Sequence, residues 1–146
     1  MVRYAGPDVG YGATIASLPA FTMIKQWLIG LSPGNPLVSE AVAVNVLAGV
    51  TGSASGGLSI VMEILGDTYY RIALETGISP EVMHRIASMA SGGLDSLPHN
   101  GAVITLLIVC GLTHRQSYLD IAVVSVLIPI LATCAVVAMG TVLGSF

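Results

Sequence analysis

Two ionisable side chains, Asp95 and His99, lie four positions apart within Ser91–Gly101, a stretch with the sequence SGGLDSLPHNG. Histidine titrates near neutral pH, and a carboxyl group removed from water holds its proton more tightly, so either could carry a coupling proton. The glycine pair and Pro98 predict irregular backbone, which lipid tolerates only where it is buried in protein or lines a cavity. The stretch is a candidate site for an ion or small polar solute; the alternative is an ordinary solvated loop.

Neutral hydrogen-bonding side chains flank the two ionisable ones. Ser96, Asn100 and Thr105 could bind a carboxylate or hydroxyl group without adding charge to the site. An equally good interpretation of Asn100 is that it caps a helix beginning near Gly101. The two interpretations are compatible, because a helix N-terminus also presents N–H groups to an anion.

A second polar stretch, Thr51–Gly57, has the sequence TGSASGG. The hydroxyl groups of Ser53 and Ser55 are candidate substrate ligands, and Gly56 and Gly57 would let the backbone approach a ligand closely. Helix packing through small residues is an equally good explanation of this stretch.

Glu63 is the third candidate for proton coupling. It begins a series of charged residues at intervals of four, which continues with Asp67, Arg71 and Glu75. This spacing places all four side chains on one helix face, where a solvated or cavity-facing ladder of ion pairs is the simpler interpretation.

The composition places these motifs in an integral membrane protein. The 146 residues are 54% hydrophobic and 9% charged, whereas a soluble domain has roughly a quarter charged residues. The five Lys and Arg residues are scattered, so we expect no nucleic-acid partner. The three histidines are too far apart for a local metal motif, and we expect neither a metal nor another cofactor.

The apolar runs predict an all-α membrane fold with broken and re-entrant helices. Ile121–Leu143 is long enough to cross the hydrocarbon core, which takes about 20 residues, and Pro129 should kink it. Ala102–Leu112 is long enough for about half a membrane. Residues 1–36 are less clear and could hold an interrupted helix or a re-entrant segment.

Residues 38–112 predict two broken helices, interrupted at Thr51–Gly57 and Ser91–Gly101. Leu58–Thr76 should be helical up to Gly77, and Ser79-Pro80-Glu81 has the cap, proline and acid typical of a helix start. Paired interruptions rich in Gly and Ser are the best sequence indication of a transporter's binding site.

Three segments resemble a known family: GSASGG at 52–57, SPEVMHRIASMASGGLDSLPHNGAVITLL at 79–107 and LTHRQSYLDI at 112–121. Together they are similar to the C-terminal part of bacterial gluconate permease (GntP) family transporters, within the wider ion transporter superfamily. The form LPHNGAVIT resembles the branch named for 3-hydroxybutyrate or citrate-like acids.

This resemblance implies secondary transport, as proton symport, of a small hydroxy- or carboxylate anion across the bacterial inner membrane by a multi-pass protein that is not an enzyme. It also implies a fold of two inverted repeats with broken helices around a midplane site. The residues here that would build that site are Ser53, Ser55, Gly56, Asp95, His99 and Asn100.

Such permeases are much longer than this chain, so we expect it to need an N-terminal half or a second copy. One alternative is an inactive fragment or a non-catalytic membrane subunit. A remote alternative is an intramembrane serine hydrolase with Ser55 as nucleophile, His99 as base and Asp95 as helper. The residue two before Ser55 is Ser53, where the usual hydrolase pattern has glycine.

Overall fold

The computed structural model describes residues 35–143 continuously, together with Pro19, Met23, Gln26, Trp27 and Gly30. The prediction for residues 1–36 therefore lies almost entirely outside the described residues.

Between residues 35 and 143 the regular secondary structure is entirely helical, as predicted. A π-helical segment, Val123–Leu127, joins the last two α-helices into one continuous helix. The inverted-repeat arrangement stays a prediction. The α-helices in chain order are α1 (Pro36–Thr51), α2 (Ala54–Thr76), α3 (Pro80–Ala90), α4 (Gly101–Cys110), α5 (His114–Ala122) and α6 (Ile128–Leu143).

α1 and α2 form an antiparallel hairpin with a two-residue connection. Gly52 ends α1 in the left-handed conformation (φ 63°), which glycine adopts without strain. Ser53 then caps α2, because its Oγ accepts a hydrogen bond from the Gly56 N–H at 3.1 Å. Far from this corner, Ser39 Oγ lies 3.1 Å from Tyr69 Oη, so the two helices run side by side in opposite directions.

The interruption predicted over Thr51–Gly57 is shorter in the structure and takes the form of this hairpin corner. Of these seven residues, Gly52 and Ser53 alone lie outside helices, and α2 begins four residues before the expected start at Leu58. The reason is tertiary packing: a Cβ atom on Gly57 would overlap the backbone of Ala48, so this glycine lets α1 and α2 cross in close contact.

The second predicted interruption is confirmed. α3 ends at Ala90, α4 begins at Gly101, and the residues between them form turns. The predicted helix stop at Gly77 is confirmed as well, and so is the start that follows it, where Ser79 Oγ accepts a hydrogen bond from the Glu81 N–H at 3.2 Å. α4 has 10 residues, roughly 15 Å of helix and about half of the hydrocarbon core.

The long apolar helix begins earlier than predicted. The continuous helix runs over His114–Leu143, 30 residues, and among the described residues it is the one helix long and apolar enough to cross a membrane. Gln116 Oε1 accepts hydrogen bonds from both Thr113 N and Thr113 Oγ1, and these bonds fix the start of the helix. The disturbance expected at Pro129 takes the form of the π-helical turn before it, where the Ile128 N–H donates to Val123 O, five residues back.

The core lies where α1, α2 and α3 pack together and α6 packs against α1 and α3. By contrast, α4 to α6 leave most of their apolar side chains exposed. Exposed apolar surface on this scale is what a lipid environment or further protein covers. The fully buried large side chains are Leu37, Val44, Ile60, Val61, Leu65, Val82 and Ile86.

Candidate functional site

The two polar stretches of the sequence meet in the structure. Asn100 Nδ2 donates a hydrogen bond of 2.6 Å to Gly52 O, at the corner between α1 and α2. The ring of His99 lies against the same corner, with its Nε2 2.9 Å from Gly49 O. Because Ser53 caps α2 and Asn100 caps α4, these contacts bring the N-termini of two helices together. We call this place, Gly49–Ser53 with residues 95–100, the corner site.

Asn100 is the residue that organises the corner site. Its buried amide donates to Gly52 O and also to Asp95 O. Its Oδ1 accepts from the N–H groups of Ala102 at 2.5 Å and of Val103 at 3.3 Å. Both donors and both lone pairs of the amide are then occupied. The predicted helix cap is therefore present, and the amide has no bonding capacity left for a substrate.

His99 is exposed and has one ring nitrogen committed. A backbone carbonyl is an acceptor, so the Nε2 that faces Gly49 O must carry the hydrogen. Nδ1 is then the nitrogen that can gain or lose a proton. Protonation of His99 would add a positive charge to the corner site without breaking the bond to Gly49 O.

Asp95 and Ser96 occupy the half-buried side of the corner site. Ser96 Oγ donates to Asp95 Oδ1 at 3.1 Å. α5 holds this segment from the outside, since Tyr118 Oη donates to Ser96 O at 3.2 Å and His114 Nε2 lies 3.0 Å from Pro98 O. His114 is the first residue of α5, so a third helix begins near the same place.

The predicted serine ligands lie at the start of α2. Ser53 Oγ lies 3.3 Å from Ser55 Oγ, and Ser55 is exposed. The hydroxyl group of Ser55 is therefore the more accessible of the two. Gly56 is buried, and its N–H is bound to Ser53. Gly57 packs against the backbone of α1, so helix packing through small residues is the better explanation for that position.

Two predicted residues lie away from the hydrogen bonds that join the corner site. Thr105 is exposed one turn into α4, where its Oγ1 donates to Gly101 O at 2.8 Å. Glu63 is exposed on α2, nine residues after the first residue of that helix, Ala54. That is roughly 14 Å along the axis. The structure therefore does not bring Glu63 to the corner.

The hydrogen bonds do not support a serine hydrolase. Ser55 Oγ is bonded to Ser53 Oγ, and His99 Nε2 is bonded to the carbonyl of Gly49. A nucleophile and its base must lie within hydrogen-bond reach of each other. Among the described residues no hydrogen bond joins Ser55 to His99. No group of three or more His, Cys, Asp or Glu side chains that could hold a metal is found among them either.

Sequence reasoning missed two polar residues on α1. Glu40 is only 2% exposed, and among residues 35–143 its Oε2 has no hydrogen-bond partner. Asn45 Nδ2 donates to Ala41 O, but its buried Oδ1 likewise has no partner there and faces Gly93. The available signal was an ionisable residue within an otherwise apolar run, which is a reason to expect a functional site.

Comparison with known proteins gives one informative match. The chain is 50% identical over 139 residues to the uncharacterized transporter YxjC of Bacillus subtilis (strain 168). The chain is thus homologous to a transporter. The match covers 95% of this chain but 29% of that relative, so the chain spans under a third of the relative's length. No protein-family model and no solved structure matches the chain.

This homology supports transport and argues against an enzyme. Together with the long apolar helix, it also supports a membrane location. The relative's name specifies neither a substrate nor a coupling ion.

Proposed function

We propose that the corner site forms one side of the binding site of a proton symporter for a small hydroxy- or carboxylate anion. The observation that carries this proposal is the bonding of Asn100 and His99 to the corner of α1 and α2, which joins the N-termini of α2 and α4. Helix N-termini carry partial positive charge and attract anions. The resemblance to the gluconate permease family supports gluconate or 3-hydroxybutyrate as the type of substrate.

The substrate ligands in this proposal are hydroxyl groups. Ser53 and Ser55 lie at the start of α2, Ser96 lies beside Asp95, and Thr105 is exposed near the start of α4. Hydroxyl groups can donate to a carboxylate and accept from the hydroxyl of a hydroxy acid. Asn100 then acts as a positioning residue rather than as a ligand, because its amide is fully occupied.

Asp95 and His99 are the proposed proton-coupling groups at this site. Proton uptake at His99 Nδ1 or on the Asp95 carboxyl would offset the charge of an entering anion. Release of the proton on the other side of the membrane would favour release of the anion. Such differential binding between two states is what coupling requires.

The opposite side of the site is proposed to come from further parts of the transporter. The chain spans 29% of its relative's length, and an inverted-repeat transporter builds its midplane site from two repeats. A second copy of the chain is the other possible source. The proposed location is the bacterial inner membrane, with several crossings.

The test is uptake of labelled gluconate, 3-hydroxybutyrate and citrate into proteoliposomes that contain the transporter carrying this sequence. We expect uptake of one of these anions to rise when the outside is made acidic. Asp95→Asn and His99→Ala should each weaken this response to pH.

Asp67→Asn is the matched control, because it removes a carboxylate that is exposed on α2. It should leave uptake and its pH response unchanged. Transport with an unaltered pH profile in both Asp95→Asn and His99→Ala would refute their coupling role. Absence of uptake for all three anions would refute the proposed substrate class.

A further inference from the structure

Glu40 is a buried ionisable residue that the proposed anion site does not use. It is the single charged residue in the sequence of α1, and 2% of its surface is exposed. It borders a small cavity of about 150 Å³ between α1, α2 and α3. The other main residues around this cavity are Met62, Tyr69, Tyr70, Met83 and His84.

The carboxyl of Glu40 lacks the partners that a buried carboxylate needs. Among residues 35–143, Oε2 is buried and has no hydrogen-bond partner. The hydroxyl of Tyr69 is bonded to Ser39 Oγ, 3.1 Å away. A buried carboxylate without a cation or hydrogen-bond donors costs several kcal/mol, whereas a neutral carboxylic acid avoids most of that cost.

In the part of the chain that the structure describes, the titratable groups near Glu40 offer no permanent positive charge. The cavity is lined by Tyr69 and Tyr70 of α2 and by His84 of α3. α6 also packs against α1, but its Cys134 lines a different groove, which Glu40 does not border. Among residues 35–143, neither a lysine nor an arginine borders the cavity.

A metal cation fits this cavity less well than a proton does. Hard cations such as Ca²⁺ take about six or more oxygen ligands at once. Of the described residues around the cavity, Glu40 and the two tyrosines have oxygen-bearing side chains, and the remaining side chains there are mostly apolar. A proton needs a single carboxyl oxygen.

We propose that Glu40 is a proton-binding site, additional to Asp95 and His99. The cavity provides its route of exchange, since His84 and Tyr70 are both exposed. α1 joins this site to the anion site, because Gly49 and Gly52, which bind His99 and Asn100, belong to the same helix and its C-terminal cap. That the Glu40 proton takes part in coupling rests on the proposed transport function; that the carboxyl is protonated does not.

The first experiment is infrared difference spectroscopy of the purified full chain in lipid vesicles. We expect a C=O band of a protonated carboxylic acid at neutral pH, lost on strong alkalinisation and absent in Glu40→Gln. Glu63→Gln is the control, because it removes an exposed carboxyl group from the neighbouring helix, and it should keep the band. Glu40→Asp should shift the band, which covers the case in which Glu40→Gln does not fold.

Absence of the band in the wild-type chain at neutral pH would overturn the proposal, as would its persistence in folded Glu40→Gln. Loss of the wild-type band when choline is replaced by Na⁺ would also overturn it, in favour of a cation site.

Transport then tests the coupling role separately. In the complete transporter, Glu40→Gln should retain anion exchange across the membrane but lose accumulation driven by a pH gradient. Accumulation equal to wild type would refute the coupling role while the infrared result still reports protonation. If the wild-type protein moves no anion at all, the proposed function fails, and the infrared band remains a valid test of the protonated carboxyl.

Discussion

Replacement of Asn100 by aspartate tests whether the corner site is held together by the amide donors. Aspartate keeps the oxygen that accepts from the N–H groups of Ala102 and Val103, and it caps helices as well as asparagine does. It removes the two donations to Gly52 O and Asp95 O and places a carboxylate against these carbonyl oxygens. Capping is thereby kept while the link between the two stretches is broken.

The magnitude follows from those two lost hydrogen bonds. Each contributes about 1 kcal/mol net, and a buried group left without its partner costs about 1–3 kcal/mol. We therefore expect Asn100→Asp to destabilise the folded chain by about 3 kcal/mol, roughly a 100-fold change in the ratio of folded to unfolded protein. Asn100→Ser also keeps a capping oxygen but adds no charge, so it should cost less than Asn100→Asp.

Asn35 provides the matched control for this substitution. It caps α1 through its Oδ1, which accepts from the Leu37 N–H at 3.1 Å, and its Nδ2 donates to Thr141 Oγ1 at 2.8 Å. In Asn35→Asp the threonine hydroxyl, which donates to Val137 O at 2.8 Å, can turn and donate to the carboxylate instead, so that one hydrogen bond replaces another. That variant should lie within about 0.5 kcal/mol of wild type, as most surface substitutions do.

The assay is denaturant unfolding in detergent, combined with amide hydrogen exchange. Asn100→Asp should lower the free energy of unfolding and speed exchange at the corner and in the first turn of α4. If Asn100→Asp proves as stable as Asn35→Asp, the amide link to Gly52 does not hold the corner site together.

Four further substitutions test the packing and the geometry of the last helix. Gly57→Ala should destabilise the chain by about 2 kcal/mol or more in the same unfolding assay, because the new Cβ would overlap the backbone of Ala48. Gly66→Ala is the matched control: its Cβ would lie in open space, so it should stabilise α2 by about 0.5–1 kcal/mol. Gly93→Ala should lower the free energy of unfolding by about 1–2 kcal/mol, because the new Cβ meets Asn45 Oδ1. The double variant with Asn45→Ala should recover most of this loss. If the effects of the two substitutions on stability simply add, the contact is refuted. Pro129→Ala restores an N–H donor, so amide exchange in the π-helical segment should slow, and unchanged exchange would mean that the proline does not cause that turn.

Local sequence chemistry was sufficient to locate the ends of several helices. The glycine at Gly77, the cap at Ser79 and the proline that follows are signals that act within one turn of helix. Asn100 was likewise predictable as a cap, because Gly101 is followed at once by an apolar run. These predictions needed no knowledge of what the helices pack against.

The errors arose where distant parts of the chain decide the outcome. Gly56 and Gly57 look like helix breakers locally, but the close approach of α1 makes Gly57 necessary inside α2. The occupied amide of Asn100 depends on Gly52, 48 positions away. Glu40 was visible in the sequence, but its burial in a cavity between three helices required the structure.

The charges of the corner site favour the entry of at least one proton with each monovalent anion. Neither Thr51–Gly57 nor Ser91–Gly101 contains a lysine or arginine, and Asp95 contributes one negative charge. The N-termini of α2, α4 and α5 contribute about half a positive charge each, and the C-terminus of α1 contributes about half a negative charge. Together they offset Asp95 and leave nothing for an entering anion. A proton on His99 or Asp95 would supply the missing charge.

We therefore expect at least one proton to enter with each monovalent anion. Uptake should then be driven by a pH gradient even when valinomycin and equal K⁺ concentrations hold the membrane potential at zero. The measurement is simultaneous recording of proton and labelled-anion fluxes in proteoliposomes. A ratio clearly below one proton per anion would mean that positive charge from outside the described residues offsets the substrate, and the assignment of Asp95 and His99 as the compensating pair would fail.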